Sequence, residues 1–177
     1  DVLPYAFGGT IVWVTAGTYR ATSELLIDDA RLRGVGATAD TVLQGNGTTR
    51  VARLVHTNAL LQGFTVTGGR AATAGGILLE RGLVQNCIVA GNMSTNEGGG
   101  IEARVGTTID HCVITNNRTL TTAPTGDGGG VYLNNGGTLL DSLIAYNRAG
   151  DDGGGVMCRG AGTVRRTLIR DNDAFDK

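Results

Sequence analysis

Three carboxylates in the second half of the chain stand at matching places. Glu97, Asp127 and Asp152 each come immediately before a run of glycines, with Asp151 beside the last of them. If the runs superpose, the acids form one file, and oxygen-rich files suit Ca²⁺, which takes several oxygens in flexible geometry. The competing reading is plainer: Asp and Glu favour the turn before a glycine and are solvated there. Two arginines, Arg104 and Arg159, also occupy matching places, and Arg165, Arg166 and Arg170 come near the end. A guanidinium grips a carboxylate through two parallel hydrogen bonds, so these side chains are candidates for reading uronic acids. Otherwise they serve only to solubilise a flat face. Lys177 is the single lysine, which leaves no interior amine for Schiff-base chemistry.

The sulfur and imidazole groups carry less. Cys87 and Cys112 hold the same place in consecutive units, and Cys158 sits elsewhere in its own unit. Three is an odd count, against a secreted disulfide framework. Stacked neighbours would bring the first two near disulfide range. Ser142 and Thr167 in the same file favour small fillers and free, buried thiols. His111 has Asn86, Asp141 and Arg166 as counterparts and reads as an exposed loop histidine. Three glycosylation triplets begin at Asn46, Asn92 and Asn117, the last two at positions where a sugar would not fit.

These positions recur because the chain repeats a unit four times over residues 73–177. Each unit opens on glycines and a β-branched residue: Gly75-Gly76-Ile77, Gly98-Gly99-Gly100-Ile101, Gly128-Gly129-Gly130-Val131 and Gly153-Gly154-Gly155-Val156. Each then carries a line ending in asparagine, from Val84-x-x-Cys87-x-Val89-x-x-Asn92 to Val164-x-x-Thr167-x-Ile169-x-x-Asn172. The asparagines Asn92, Asn117, Asn147 and Asn172 are 25, 30 and 25 residues apart. A period that survives a five-residue insertion is a structural repeat with an elastic loop. Leu61, Phe64, Val66 and Gly69 align with Val84, Cys87, Val89 and Asn92, so the repeat begins before its signature residue.

The line fits the first half of a leucine-rich repeat, but glycines and a second strand come where that repeat would place a helix. No segment shows a capped helical period. Two or three short strands per coil predict an all-β chain: a right-handed parallel β-helix of about six to seven coils, ~4.8 Å apart. We read residues 1–177 as one domain, with 1–50 as looser N-terminal coils and 51–177 as the regular part. Apolar files then stack as Val66, Val89, Ile114, Ile144 and Ile169, as Ile77, Ile101, Val131 and Val156, and as Leu79, Ala103, Leu133 and Cys158. The asparagines belong at a turn, bonding coil to coil. Gly99, Gly129 and Gly154 belong where the chain turns back at φ > 0.

Gly-Gly-[Ile/Val] with Cys-x-[Ile/Val]-x-x-Asn resembles the repeats of bacterial surface β-helix proteins of the polymorphic outer-membrane-protein type. The opening Ile11-Val12-Trp13-Val14, Ala16-Gly17-Thr18-Tyr19, Leu32-x-Gly34-x-Gly36 and Thr41-Val42-Leu43-Gln44-Gly45 look like first coils of the pectin-lyase-like superfamily. The resemblance implies the fold and leaves function open, since β-helices serve as lyases, esterases, adhesins and stalks. Ile109-Asp110-His111-Cys112 is similar to a pectate-lyase segment bordering the calcium site. However, Gln85, Leu140 and Arg165 occupy the file of Asp110, and the Arg-and-Pro segment carrying the lyase base is missing.

A net charge of −1 shows no footprint for nucleic acid or anionic lipid, and no apolar run is long enough to span a membrane. The chain starts at Asp1 in mid-flow and stops at Lys177, where a further glycine run is due, as a piece of something longer or assembled would. Polar files change from coil to coil, whereas apolar, Gly and Asn files stay fixed. The expectation is a non-catalytic extracellular or cell-surface module that stacks on itself or on neighbouring β-helix domains into a stalk, adhesin or fibre. It needs no cofactor unless the acidic file holds Ca²⁺. The alternative is a protein that binds or cleaves acidic polysaccharide, with Arg104 and Arg159 beside Glu97, Asp127 and Asp152.

Overall fold

The computed structural model describes residues 5–6, 8–122 and 124–175; Asp1 and Lys177, where the sequence reads as interrupted, lie outside them. The fold is an all-β parallel solenoid of about six turns, the lower end of the expected count. Among the described residues the one helical piece is a 3₁₀ turn at Thr38–Asp40. Three seven-stranded parallel sheets run along the axis. Sheet A extends to Val156–Arg159, sheet B from Ile11–Val14 to Thr163–Arg165, and sheet C from Gly17–Arg20 to Leu168–Arg170. Sheet D has five two-residue strands: Arg70–Ala71, Met93–Ser94, Arg118–Thr119, Arg148–Ala149 and Asp173–Ala174.

The N-terminal coils are more regular than their sequence. Val12 pairs with Leu32, Leu32 with Leu61, and Leu43 with Val66, all in the same sheets as the later repeats. They differ in having no strand in sheet D, which begins at Arg70. Sheet D also changes the count of strands per coil. The sequence shows a polar loop after each asparagine, but the next two residues form a ladder. Arg, Met and Asp carry little strand signal of their own. Pairing arises because the asparagine corner sets successive chains at matching heights, so the two residues beyond each corner fall into register.

The inner files pack in register. Val66, Val89, Ile114 and Ile144 are fully buried, while Ile169 on the last rung is 46% exposed. Each added Val or Ile contributes roughly 1.5–3 kcal/mol of burial, and each rung repeats the term.

The turns have two causes where the sequence offered one. Positive φ falls on the first glycine of each three-glycine run, Gly98, Gly128 and Gly153 at 64°, 64° and 67°, and on Ala74 at 52° before the two-glycine run. Gly99, Gly129 and Gly154 are not among the positive-φ glycines. They are required because a Cβ at Gly99 would lie 2.3 Å from Gly129 O, and one at Gly154 would lie 2.2 Å from Asp173 O. Two other corners use left-handed residues that are mostly not glycine. Asn86, His111, Asp141 and Arg166 come after sheet B at φ between 46° and 50°. Asn116, Tyr146 and Asp171 precede the ladder asparagines at 54°, 58° and 54°. Asn and Asp tolerate this region; Arg and Tyr are held there by the stacked coils.

Candidate functional site

The four asparagines form one continuous chain, buried at Asn92, Asn117 and Asn147 and half-buried at Asn172. Asn92 donates its backbone N–H (3.0 Å) and Nδ2 (3.1 Å) to Asn117 Oδ1. Asn117 does the same to Asn147 Oδ1, both at 3.0 Å, and Asn147 to Asn172 Oδ1 at 2.9 and 3.0 Å. Each Nδ2 also reaches back to a carbonyl of the preceding coil: Val66, Val89, Ile114 and Ile144 in turn. Gly69 begins the file, its N–H donating to Asn92 Oδ1 at 2.9 Å. Every strong polar group here is spent on joining coils.

The outer face of sheet A carries the arginines singled out by sequence. Arg104 Nη1 lies 3.1 Å from Glu80 Oε2 and its Nε lies 3.3 Å from Glu102 Oε1. Arg53 holds Glu80 from the other side at 2.5 Å, and Asn134 Nδ2 donates to Glu102 Oε1 at 3.1 Å. Charges alternate along this lattice and neutralise one another, so Arg104 is already engaged. Arg159 donates to Tyr132 Oη at 3.3 Å. That bond first, then the fields of Glu97 and Asp127, strengthen its hold on its proton.

Glu102 and Tyr132 point outward from the sheet yet are only 3% and 2% exposed. The glycine turns fold back over them. A Cβ on Gly98 would lie 3.1 Å from Glu102 N, and one on Gly128 would lie 3.0 Å from Tyr132 Cβ. A buried carboxylate and a buried phenol on an outer face were invisible in the sequence, because the turn that covers them reads as loop.

The acidic file divides. Ala74, Gly98 and Gly128 donate to the backbone carbonyls of Glu97, Asp127 and Asp152, which places all three at equivalent points of successive coils. Asp127, Asp151 and Asp152 each offer an oxygen within 4.8 Å of the others, and Glu97 stands outside that group. Three such oxygens form a donor set suited to a hard cation, and the same grouping is common in solvated turns.

At the B–C corner His111 Nδ1 lies 2.7 Å from Asp110 Oδ1. Asp110 Oδ2 accepts from Gln85 Nε2 at 2.9 Å, and Gln85 Oε1 accepts from Gln62 Nε2 at 3.0 Å. The register puts Gln85 and Leu140 in the file of Asp110 and Arg165 next to Leu140, so no second acid stands there. One comes instead from the neighbouring file. Asp141 approaches the Asp110–His111 pair, but Arg166 grips both its oxygens at 2.6 and 2.8 Å and holds its carboxyl below the usual range. His111 is exposed, with its side chain 59% accessible.

Cys87 and Cys112 are buried and unbridged; Cys158 is free and exposed. The Cys87 sulfur beside it, and then burial, push the Cys112 thiol well above its ordinary value. Asn46, which opens a glycosylation triplet, accepts from the amides and hydroxyls of Thr48 and Thr49, and Asn92 and Asn117 are buried.

No helix among the described residues is long and apolar enough to cross a membrane. Comparison with protein-family models, with curated proteins and with solved structures gives no match. The geometry by itself identifies the fold, a parallel β-solenoid of about six turns.

Proposed function

We propose that the chain is a non-catalytic structural module, a β-solenoid related to the pectin-lyase-like and bacterial surface β-helix proteins. It works outside the cell or at its surface by holding a stiff, regular shape. The observation that carries this reading is the asparagine chain, in which the most ordered polar side chains bond only to one another and to backbone. On the outer face of sheet A, Arg53, Glu80, Glu102 and Arg104 likewise pair among themselves. Catalysis needs convergent acids and bases free to meet a substrate. Stacking belongs to the same proposal. The coils join through parallel ladders in uniform register, and such a ladder is a template for a further coil.

Two measurements test it. Light scattering over a dilution series, with negative-stain microscopy, is expected to show end-to-end species; a strictly monomeric, dilution-independent particle refutes stacking. Incubation with polygalacturonate or alginate plus Ca²⁺ is expected to give no ultraviolet absorbance from unsaturated product. Its appearance refutes the non-catalytic reading.

A further inference from the structure

Among the described residues two groups of three metal-ligating side chains come together, and only one of them includes a nitrogen. That group stands at the B–C corner, where Asp110, His111 and Asp141 each offer a ligand atom and the three atoms lie within 4.8 Å of one another. Asp110 and His111 belong to one coil and Asp141 to the next. They meet because His111 and Asp141 share the corner file, at φ of 50° and 46°, while Asp110 ends the strand just before it. The sequence placed these residues in separate columns, so the grouping arises only from the corner.

Two further observations point to a cation. The first is an ordered outer layer. His111 Nδ1 lies 2.7 Å from Asp110 Oδ1, Gln85 Nε2 donates to Asp110 Oδ2 at 2.9 Å, and Gln62 Nε2 donates to Gln85 Oε1 at 3.0 Å. Hydrogen bonds of this kind, made by the atoms that do not ligate, hold a metal site's carboxylates and imidazole in orientation. The second is that the corner already receives a positive group. Arg166 donates to both oxygens of Asp141 at 2.6 and 2.8 Å. Its side chain is 65% accessible, and an exposed ion pair is weak enough to be exchanged. The Asp110 and Asp141 side chains are largely shielded, whereas His111 is open to water on its outer side.

We propose that Asp110, His111 and Asp141 bind a divalent transition-metal ion of the zinc class, which clamps two successive coils at the B–C corner. The ion takes the place between His111 Nδ1 and Asp110 Oδ1 that a proton now holds. The imidazole keeps its proton on Nε2, and Arg166 leaves Asp141 for water. One imidazole nitrogen and two carboxylate oxygens suit Zn²⁺ at about 2.0–2.2 Å each, with water in the fourth position. Small side-chain rotations bring the three atoms to that spacing. Calcium fits poorly, because it takes about six to eight oxygens and the corner offers a nitrogen with two carboxylates. In this the corner departs from the calcium-bordering segment that Asp110-His111-Cys112 resembles. The clamp requires the solenoid but neither its stacking nor a place outside the cell.

Calorimetric titration of ZnCl₂ into the whole chain, first stripped with a chelator, tests it. The protein carries Cys158→Ser, which removes the exposed thiol. One Zn²⁺ per chain is expected to bind and to raise the melting temperature, because only the folded coils bring the ligands together. His111→Asn copies Asn86 at the equivalent corner and tolerates its φ of 50°. It should weaken binding on the order of tenfold or more, as should Asp141→Asn. Arg166→Gln should tighten binding several-fold, since Asp141 is then no longer shared. His56→Gln removes the other histidine and should change nothing. Circular dichroism checks that each variant is folded; should Asp141→Asn fail to fold, Arg166→Gln still reads whether Asp141 is a ligand. No binding of Zn²⁺, unaltered affinity in His111→Asn, loss with His56→Gln, or affinity not raised by Arg166→Gln overturns the site. Calcium bound as tightly as zinc overturns the class of ion.

Discussion

Replacing Asn117 by alanine tests whether the ladder holds the coils together. Asn117 is 1% exposed, and its side chain makes four hydrogen bonds. Without Oδ1, the buried Asn92 N–H loses its acceptor, whereas Asn92 Nδ2 keeps Val66 O and Ala90 O. Without Nδ2, Val89 O loses a donor, whereas Asn147 Oδ1 keeps the Asn117 backbone N–H. One orphaned buried donor at about 1–3 kcal/mol, with three ordinary bonds lost at about 0.5–1.5 kcal/mol each, implies destabilisation near ~5 kcal/mol. That is a large share of a typical domain's stability of roughly 5–15 kcal/mol. The matched control is Asn172→Ala. Asn172 makes equivalent bonds on the last described rung, where water reaches the vacated acceptors, and it should cost about 1 kcal/mol. Urea unfolding followed by circular dichroism, with hydrogen exchange at the Asn92 amide, measures both. A cost below about 1 kcal/mol for Asn117→Ala, or equal costs for the two variants, would refute the reasoning.

Gly69→Asn extends the asparagine file by one coil on paper, but it should destabilise the protein in the same urea assay. A Cβ at Gly69 would lie 2.0 Å from Gly75 O and 2.8 Å from Val51 Cγ2. Gly99→Ala should cost about 3 kcal/mol or more, and Gly98→Ala roughly 1–2 kcal/mol. The first forces a Cβ to 2.3 Å from a neighbouring coil's carbonyl, whereas the second mainly opposes a φ of 64°; thermal melts rank them. The Cys112 thiol, raised above 9.0 by Cys87 and by burial, contributes stability that is complete below that pH. As pH rises further, the unfolded thiol ionises before the folded one, so stability falls until the folded value is passed. Cys112→Ser should flatten this alkaline limb in melts across pH 8 to 11, and an unchanged limb counts against it.

Much of the architecture was legible because parallel stacking in register turns each sequence column into one spatial file. Val89, Ile114 and Ile144 could be placed together from spacing alone, and so could the asparagines. The same logic misjudged Gly99, Gly129 and Gly154. It found that glycine was needed but assigned the reason to φ, when at these positions the cause is a backbone from the next coil. It read His111 as a loop residue but passed over Tyr146 as a corner residue, because left-handed backbone is ordinarily signalled by Gly or Asn.

Contacts that cross between columns lay beyond the sequence. Asp141 meets the Asp110–His111 pair from an adjoining file, the turns before the glycines bury Glu102 and Tyr132, and Arg104 is taken by Glu80 and Glu102 while Arg118 faces Arg148. Periodicity fixes position along the axis. It does not fix the angle at each corner or the direction of a long side chain. The sequence by itself therefore determined the solenoid, its inner files and its asparagine ladder. Only the tertiary structure decided which outer charges cancel and which outward side chains the turns bury, because that depends on corner geometry and side-chain reach rather than on repeat spacing.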